Sequence, residues 1–304
     1  MNEVKKNKIY LSLAKVSSWT GLSRIFGLIR DVVTTNLLGA SVFHDIFVVT
    51  LKIPNLFRRF FAEGAFNQAF IPIYSDYQKG NDEKNTQEFI NSLAGSFLSI
   101  LFLFTILVLL ITPIFIFIFA PGFYYDDSKR IIAIDLLRIM FPYLALISLV
   151  SFASGIQNTH EKFSIPAFTP LIFNITLIVA AIFIAPIINL PVYALAWGVL
   201  IAGFLQLLIH IFALKNINRL PKPKINFSHP GQINVLKLMI PAILAGGIVQ
   251  INLLIDTIFA SLLQTGSPTW LYVSDRLIQF PMGIFAIAIG TILLPTLSKI
   301  DIAT

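Results

Sequence analysis

Residues 52–72 read Lys-Ile-Pro-Asn-Leu-Phe-Arg-Arg-Phe-Phe-Ala-Glu-Gly-Ala-Phe-Asn-Gln-Ala-Phe-Ile-Pro. Lys52, Arg58, Arg59 and Glu63 lie in a segment otherwise suited to hydrocarbon. A charge near a bilayer centre costs about 2.5–3.5 kcal/mol unless it faces a wet cavity or a partner. Adjacent arginines, a glutamate one turn after Arg59, a soft point at Gly64 and bounding prolines at Pro54 and Pro72 therefore mark a functional element. A plain membrane anchor would not carry them.

The surrounding composition sets the class. Of 304 residues, 56% are hydrophobic and 12% charged, with mean hydropathy +0.82. Soluble domains average about 25% charged residues. The chain therefore reads as an all-α polytopic integral membrane protein, with room for about eight spanning helices of about 20 residues each. A transmembrane β-barrel would alternate over segments of about ten residues, whereas the apolar runs here are long and continuous. The absence of cysteine excludes disulfides, thiolate metal sites and cysteine nucleophiles. The net charge of +7 is spread over membrane-flanking loops and single helix positions. It forms no basic stripe interleaved with aromatics, so nucleic acid is not an expected partner.

In chain order, the first segment covers about 9–38 and ends at a Leu-Leu-Gly-Ala-Ser turn. It has no compact apolar core followed by a cleavage site, so it reads as a retained helix. Arg24 and Asp31, seven residues apart, share a face, and Arg30 is expected to point elsewhere. The second segment runs from Phe43 to about 72, bent at Pro54 with a softer point at Gly64; Asp45 and Lys52 share a face, and Arg59 can pair with Glu63 at i, i+4. Further segments follow at about 89–118, 130–157, 166–187, 191–215, 232–263 and 269–298. Asp126-Asp127, in the loop after the third, reads as a solvated pair. A basic, proline-punctuated stretch divides the chain into a first six-helix lobe (1–216), a linker (217–231) and the start of a second lobe (232–304).

The ending Leu-Pro-Thr-Leu-Ser-Lys (294–299) echoes Ile-Pro-Ile-Tyr-Ser-Asp (71–76), each after a charged, glycine-containing helix. The echo hints at a repeated unit, as in transporters built from repeats. Loop lysines and arginines collect on one side, at Lys5, Lys6, Lys8, Lys79, Lys84, Lys162, Lys215, Arg219, Lys222, Lys224 and Lys299. Only Lys129 and Arg130 lie on the other, which places both termini in the cytoplasm.

No catalytic constellation is visible. His44, His160, His210 and His229 lack metal-ligand spacing, and there is no phosphate-binding glycine loop, nucleophile elbow or placed carboxylate pair. An enzyme is not expected. What remains is a set of intramembrane cations, Arg24, Arg58, Arg59 and Arg276. Arginine stays charged and grips phosphate oxygens bidentately, so convergence of these residues suits an anionic headgroup. The competing reading is that they only neutralise Asp31, Asp45, Glu63 and Asp275.

Several stretches resemble the MurJ/MviN family of bacterial lipid II flippases: Ser-Arg-Ile-Phe-Gly-Leu-Ile-Arg-Asp (23–31), the whole of 52–72, Ala-Pro-Gly-Phe (120–123), Lys-Phe-Ser-Ile-Pro-Ala-Phe (162–168), Tyr272 to Pro281, and Gly-Thr-Ile-Leu-Leu-Pro-Thr-Leu-Ser-Lys (290–299). The resemblance spans the chain. It implies alternating access that moves lipid II, an undecaprenyl-pyrophosphate-linked disaccharide peptide, across the bacterial cytoplasmic membrane among its lipids. It places the pyrophosphate on Arg24, Arg58 and Arg276, and transport or gating on Arg30, Asp31, Asp45, Arg59 and Glu63. It adds Asp256 as a sodium ligand, with Na+ as a coupling ion and no other cofactor. Gln279 departs from a glutamate found in some relatives. The family also carries helices beyond the eighth, which implies a truncated member or one completed by its C-terminal half as a separate chain. A non-transporting remnant or cell-wall scaffold, and an ion-coupled exporter of the same superfamily, are the readings set against transport of lipid II.

Overall fold

Glycines and prolines set several of the helix boundaries, a proline by removing a backbone donor and a glycine by permitting a positive φ. The computed structural model describes residues 3–61, 64–80 and 82–279. Helix α1 (Glu3–Leu38) stops at Gly39, whose φ of 61° is the left-handed conformation that glycine adopts without strain. Helix α2 (Val42–Phe61) passes through Pro54 unbroken, and α3 (Ala65–Lys79) begins after Gly64 at φ 67°. The second expected segment is thus two helices, and its break lies at Gly64 rather than Pro54. A proline in a helix removes one hydrogen bond, whereas a positive φ turns the chain out of the helix. Helix α3 also carries on through Pro72, so the expected exit at 71–76 is helical.

Helix α4 (Glu83–Leu110) starts earlier than expected because the Asp82 side chain accepts a hydrogen bond from the Asn85 N–H at 3.0 Å. Pro113 separates it from α5 (Thr112–Phe119), and the short α6 (Pro121–Tyr124) follows. Pro142 likewise divides the fourth expected segment into α7 (Asp127–Met140) and α8 (Tyr143–Thr159). Asp126 caps α7 through the backbone N–H groups of Ser128 and Lys129, in keeping with a solvated loop. Helix α9 (Ser164–Val179) runs into a π turn at Ala180–Ile184 and a 3-10 turn at Ala185–Ile187. Then come α10 (Pro191–Asn216), α11 (Pro230–Leu262) and α12, which starts at 267 and is described to 279. The two parts of α11, Pro230–Ala245 and Gln250–Leu262, are inclined by 53° with Gly246 and Gly247 between them.

Two cores hold the bundle. One packs Ile46, Val49 and Ile53 of α2 against Leu136 and Met140 of α7, Leu144 of α8 and Val199 of α10. The other is aromatic. Phe66 stacks on Phe70 and Phe97, and Phe70 on Tyr74, at centroid distances of 5.4, 4.9 and 5.3 Å. Gly155 of α8 lets the Phe70 ring approach, since a Cβ there would lie 2.9 Å from it. Helix α8 contributes to both cores and ties them together.

Four segments among the described residues are long and apolar enough to cross a membrane: Glu83–Leu110, Asp127–Thr159, Ser164–Ile187 and Pro191–Asn216. The bent α11 makes a fifth. Their outward residues, such as Phe102, Leu103 and Phe204, are exposed and suit lipid. Arg24, Asp31, Lys52, Arg58 and Arg276 lie outside these segments, on α1, α2 and α12. The basic linker is not a free tether. The Lys224 N–H donates to Asn91 O at 3.0 Å and the Lys222 N–H to Asn91 Oδ1 at 2.7 Å. Gly95 permits this strap to lie on α4, because a Cβ there would meet the Lys224 backbone at 2.4 Å.

Candidate functional site

Three adjoining chambers open between α1, α2, α8, α9, α11 and α12. The first, of about 230 Å3, is lined by Lys52, Arg58 and Arg59 of α2, Gln250 of α11, and Asp275 and Arg276 of α12. The second, of about 350 Å3, takes Asn55 and Arg58 from α2, Ser151 and Ser154 from α8, Thr169 from α9 and Gln206 from α10. The third, of about 320 Å3, is bounded by Arg24, Arg30 and Asp31 of α1, Asn174 of α9, and Arg276 and Gln279 of α12. Arg276 borders all three, Arg58 the first two and Arg30 the last two. The expected pyrophosphate residues Arg24, Arg58 and Arg276 thus face connected volumes, although no single chamber holds all of them.

The helical repeat explains the convergence. Leu51, Asn55 and Arg58 step along α2 at i, i+4, i+7 and present one stripe to the second chamber. Around the three chambers Arg24, Arg30, Lys52, Arg58, Arg59 and Arg276 stand against Asp31 and Asp275. Among the described lining residues the surplus is cationic.

Arg30 corrects the expectation that it points away from the Arg24–Asp31 face. Its Nε and Nη2 donate to Asp31 Oδ1 at 3.0 and 2.6 Å, its Nη1 to Asn174 Oδ1 at 2.9 Å, and its Nη2 to Tyr272 Oη at 3.3 Å. Neighbours on a helix project about 100° apart, but the long arginine side chain swings back across that angle. The Tyr272 hydroxyl donates to Asp31 Oδ1 at 2.7 Å, and Arg276 Nε lies 3.6 Å from Asp31 Oδ2. Asp31, 8% exposed, is therefore the hub joining α1 to α12. Arg276 also lies over the Tyr272 ring, 5.1 Å from its centroid.

Asp45 lies outside these chambers. It is 2% exposed and accepts from the N–H of Gly266 at 2.6 Å, the N–H of Thr269 at 3.0 Å and the Thr269 hydroxyl at 2.6 Å. It caps the start of α12 from another helix, a carboxylate where the helix dipole favours one. The α1–α2 turn abuts the α11–α12 turn here: a Cβ on Gly266, whose φ is 94°, would lie 3.3 Å from Ala40 O. Arg59 Nη1 donates to Gln250 Oε1 at 3.2 Å, a second link from α2 to the C-terminal helices. Glu63, the expected partner of Arg59, lies outside the described residues.

Asp256 is exposed on α11 and lines none of the three chambers. No group of three or more His, Cys, Asp or Glu side chains placed to hold a metal ion occurs among the described residues. Sequence reasoning missed the uncharged lining, Asn55, Asn67, Ser151, Ser154, Asn174 and Gln206. The available signal was their spacing within apolar helices, such as Ser151 and Ser154 at i, i+3 on α8.

A profile of the family described as lipid II flippase MurJ matches residues 34–302. The chain is 44% identical over 287 residues to "Probable lipid II flippase MurJ" of Buchnera aphidicola subsp. Acyrthosiphon pisum, covering 94% of this chain and 56% of that protein. It is 39% identical over 295 residues to "Lipid II flippase MurJ" of Burkholderia cenocepacia, covering 96% and 57%. Among solved structures, "Lipid II flippase MurJ, inward closed conformation" superposes with a TM-score of 0.79 at 30% identity, covering 93% of this chain and 58% of that one. The chain spans a little over half the length of the curated relatives it matches.

Proposed function

The chain belongs to the lipid II flippase MurJ family, and from that premise we propose that it carries the phosphate-gripping and gating part of a lipid II translocator. It resides in the bacterial cytoplasmic membrane, with the basic loops and both termini on the cytoplasmic side. The observation that carries this reading is the pair Arg58 and Arg276, set on different helices and bordering the same two chambers. Guanidinium groups on two walls suit a diphosphate, which offers oxygens in several directions. Arg24 extends the cationic path along α1 through the third chamber. A family of this kind moves its substrate rather than converting it.

Gating follows from which helices are tied. Alternating access requires α12 to part from α1 and α2 at one stage and to rejoin them at another. Two sets of bonds oppose that parting: the Asp31 hub, with Arg30, Tyr272 and Arg276, and the Asp45 cap on Gly266 and Thr269. A diphosphate entering beside Arg276 competes with Asp31 for that guanidinium, which loosens the hub when substrate is present. An exporter of organic cations would want carboxylates around the chambers, and the cationic surplus argues against it.

The test is lipid II translocation in proteoliposomes. Replacing Arg58 or Arg276 with alanine removes charge-assisted bonds of about 1.5–3 kcal/mol, so transport should fall roughly 10- to 100-fold at limiting substrate. Lysine at either position should restore only part of it, because an ammonium lacks the bidentate fork. Parental transport by both alanine variants would remove the phosphate assignment.

A further inference from the structure

The basic strap that joins α10 to α11 borders none of the three chambers, yet it is fastened along its length. Helix α10 ends in a left-handed turn at Asn218, φ 55°, closed by bonds from the Asn218 N–H to Lys215 O at 3.1 Å and from the Arg219 N–H to Leu214 O at 3.0 Å. The chain then runs along α4, held at alternate residues. Gln87 Nε2 donates to Leu220 O at 3.3 Å, the Lys222 N–H to Asn91 Oδ1 and the Lys224 N–H to Asn91 O. Pro221 and Pro223 fix the intervening φ angles. An open cleft of about 530 Å3 lies between the strap, the first turns of α4 and the end of α10. Lys84, Lys215, Arg219 and Lys222 border it from those three elements, against one carboxylate, Glu83. Arg219 Nη2 pairs with Glu83 Oε1 at 3.2 Å, and Lys224 takes the nearby Glu88 at 3.8 Å. Lys84, Lys215 and Lys222 form no ion pair among the described residues.

We propose that this cleft is a second anion site, separate from the chambers, that takes a phosphate-bearing group between Lys84, Lys215 and Lys222. Lysine binds phosphate as a point charge, and ammonium groups from three elements meet oxygens that point in several directions. Like charges gathered on a backbone that is tied down repel one another, and a bound phosphate relieves that repulsion. The depth of the cleft points to a phospholipid headgroup as the source. On α4 the exposed apolar surface begins at Leu98, about 10 Å along the helix from Asn91. On α10 Leu208, Ile211 and Phe212 are exposed within about two turns of Lys215. A headgroup in the cleft therefore has lipid-facing surface beside it for its acyl chains, as in basic pockets that hold anionic lipids between membrane helices. The cytoplasmic leaflet follows from the topology proposed above, whereas the site itself is independent of the phosphate assignment in the chambers. Because the strap is the link from α10 to α11, a lipid bound there fixes that link against α4.

The experiment uses the full chain in phosphatidylcholine nanodiscs, with and without phosphatidylglycerol, and reads hydrogen exchange at the backbone amides of residues 217–224. Phosphatidylglycerol should slow exchange there several-fold. The double variant Lys215→Gln, Lys222→Gln leaves the backbone bonds to Asn91 in place. It should exchange like the parent in phosphatidylcholine alone and lose the protection by phosphatidylglycerol. In native mass spectrometry it should bind phosphatidylglycerol about 30-fold more weakly, while Arg58→Ala leaves both readouts at the parental value. Inorganic diphosphate added to phosphatidylcholine nanodiscs distinguishes the sources: protection by phosphatidylglycerol alone supports the lipid headgroup, and equal protection by diphosphate supports a soluble anion at the same site. Exchange that ignores both anions, or protection that survives in the double variant, overturns the site. Loss of phosphatidylglycerol binding in Arg58→Ala, with the double variant at the parental value, assigns the anion to the chambers and overturns it as well.

Discussion

Replacing Asp45 with alanine tests the link between α2 and α12 most directly. Its carboxylate accepts from two backbone N–H groups and one hydroxyl, all within 3.0 Å, at 2% exposure. A hydrogen bond to a charged group is worth about 1.5–3 kcal/mol, and bonds that share one acceptor do not add fully. Truncation also strands the Gly266 and Thr269 N–H groups, which water reaches poorly in this buried turn. A net loss of roughly 3 kcal/mol is expected, large for one substitution and of the kind that breaking a buried network produces. Thr269→Val removes only the hydroxyl bond and should cost about 1 kcal/mol. Chaotrope unfolding in detergent, followed by tryptophan fluorescence, measures both. The two substitutions should also couple by about 1 kcal/mol in a double-mutant cycle. A loss under about 0.5 kcal/mol for Asp45→Ala, within the range of an ordinary surface change, would refute the cap.

Further tests address the turns, the strap and pH. An ideal Cβ on Gly266 lies 3.4 Å from the Ala40 Cβ, near the separation of about 3.5–4.5 Å that a disulfide requires, and the chain has no cysteine of its own. Ala40→Cys with Gly266→Cys should cross-link on oxidation and stop transport until reduced; full transport by the bridged protein would show that these turns need not part. Gly95→Val puts a side chain where the Lys224 backbone lies, so trypsin should cut after Lys224 several-fold faster, whereas an unchanged rate would deny that α4 holds the strap. His160 Nε2 lies 3.0 Å from the Tyr74 hydroxyl and 2.8 Å from Gln78 Nε2, and His229 Nδ1 accepts from the Gly231 N–H at 3.2 Å to cap α11. Burial first, then Arg219 and Lys162, lowers the pKa of His160, and burial lowers that of His229. Both are neutral in the fold and titrate below the ordinary 6.5. Stability should therefore fall as pH drops through 6.5 toward the folded-state values, and the double variant His160→Gln, His229→Asn should show a flatter melting profile between neutral and mildly acidic pH.

Much of the architecture follows from local chemistry. Continuous apolar runs such as 97–119 have one stable arrangement in hydrocarbon, a helix that satisfies its own backbone. Gly39 was legible as a turn because no other residue takes a positive φ so cheaply, and Asp126 as a solvated residue because it sits among loop formers. Which helices could not face lipid was legible as well, since Arg24, Lys52, Arg58 and Arg276 are too costly there. The order of the break points was less so. Pro54 and Gly64 both interrupt a helical pattern, and only packing against the aromatic core settles that the chain turns at Gly64.

Partners across the bundle belong to the tertiary structure alone. Helical periodicity tells which residues share a face, but it does not say which face meets it from 150 or 240 positions away. Thus Asp31 could be placed beside Arg24 by spacing, yet its bonds to Tyr272 and Arg276, and the Arg30 bond to Asn174, depend on how α1, α9 and α12 assemble. Asp45 looked like another intramembrane charge and is a cap, because the α11–α12 turn happens to arrive there. The uncharged chamber wall was hidden for a related reason. A serine or glutamine in an apolar helix costs little enough to pass unnoticed, and it becomes informative only when neighbouring helices gather several of them around one volume.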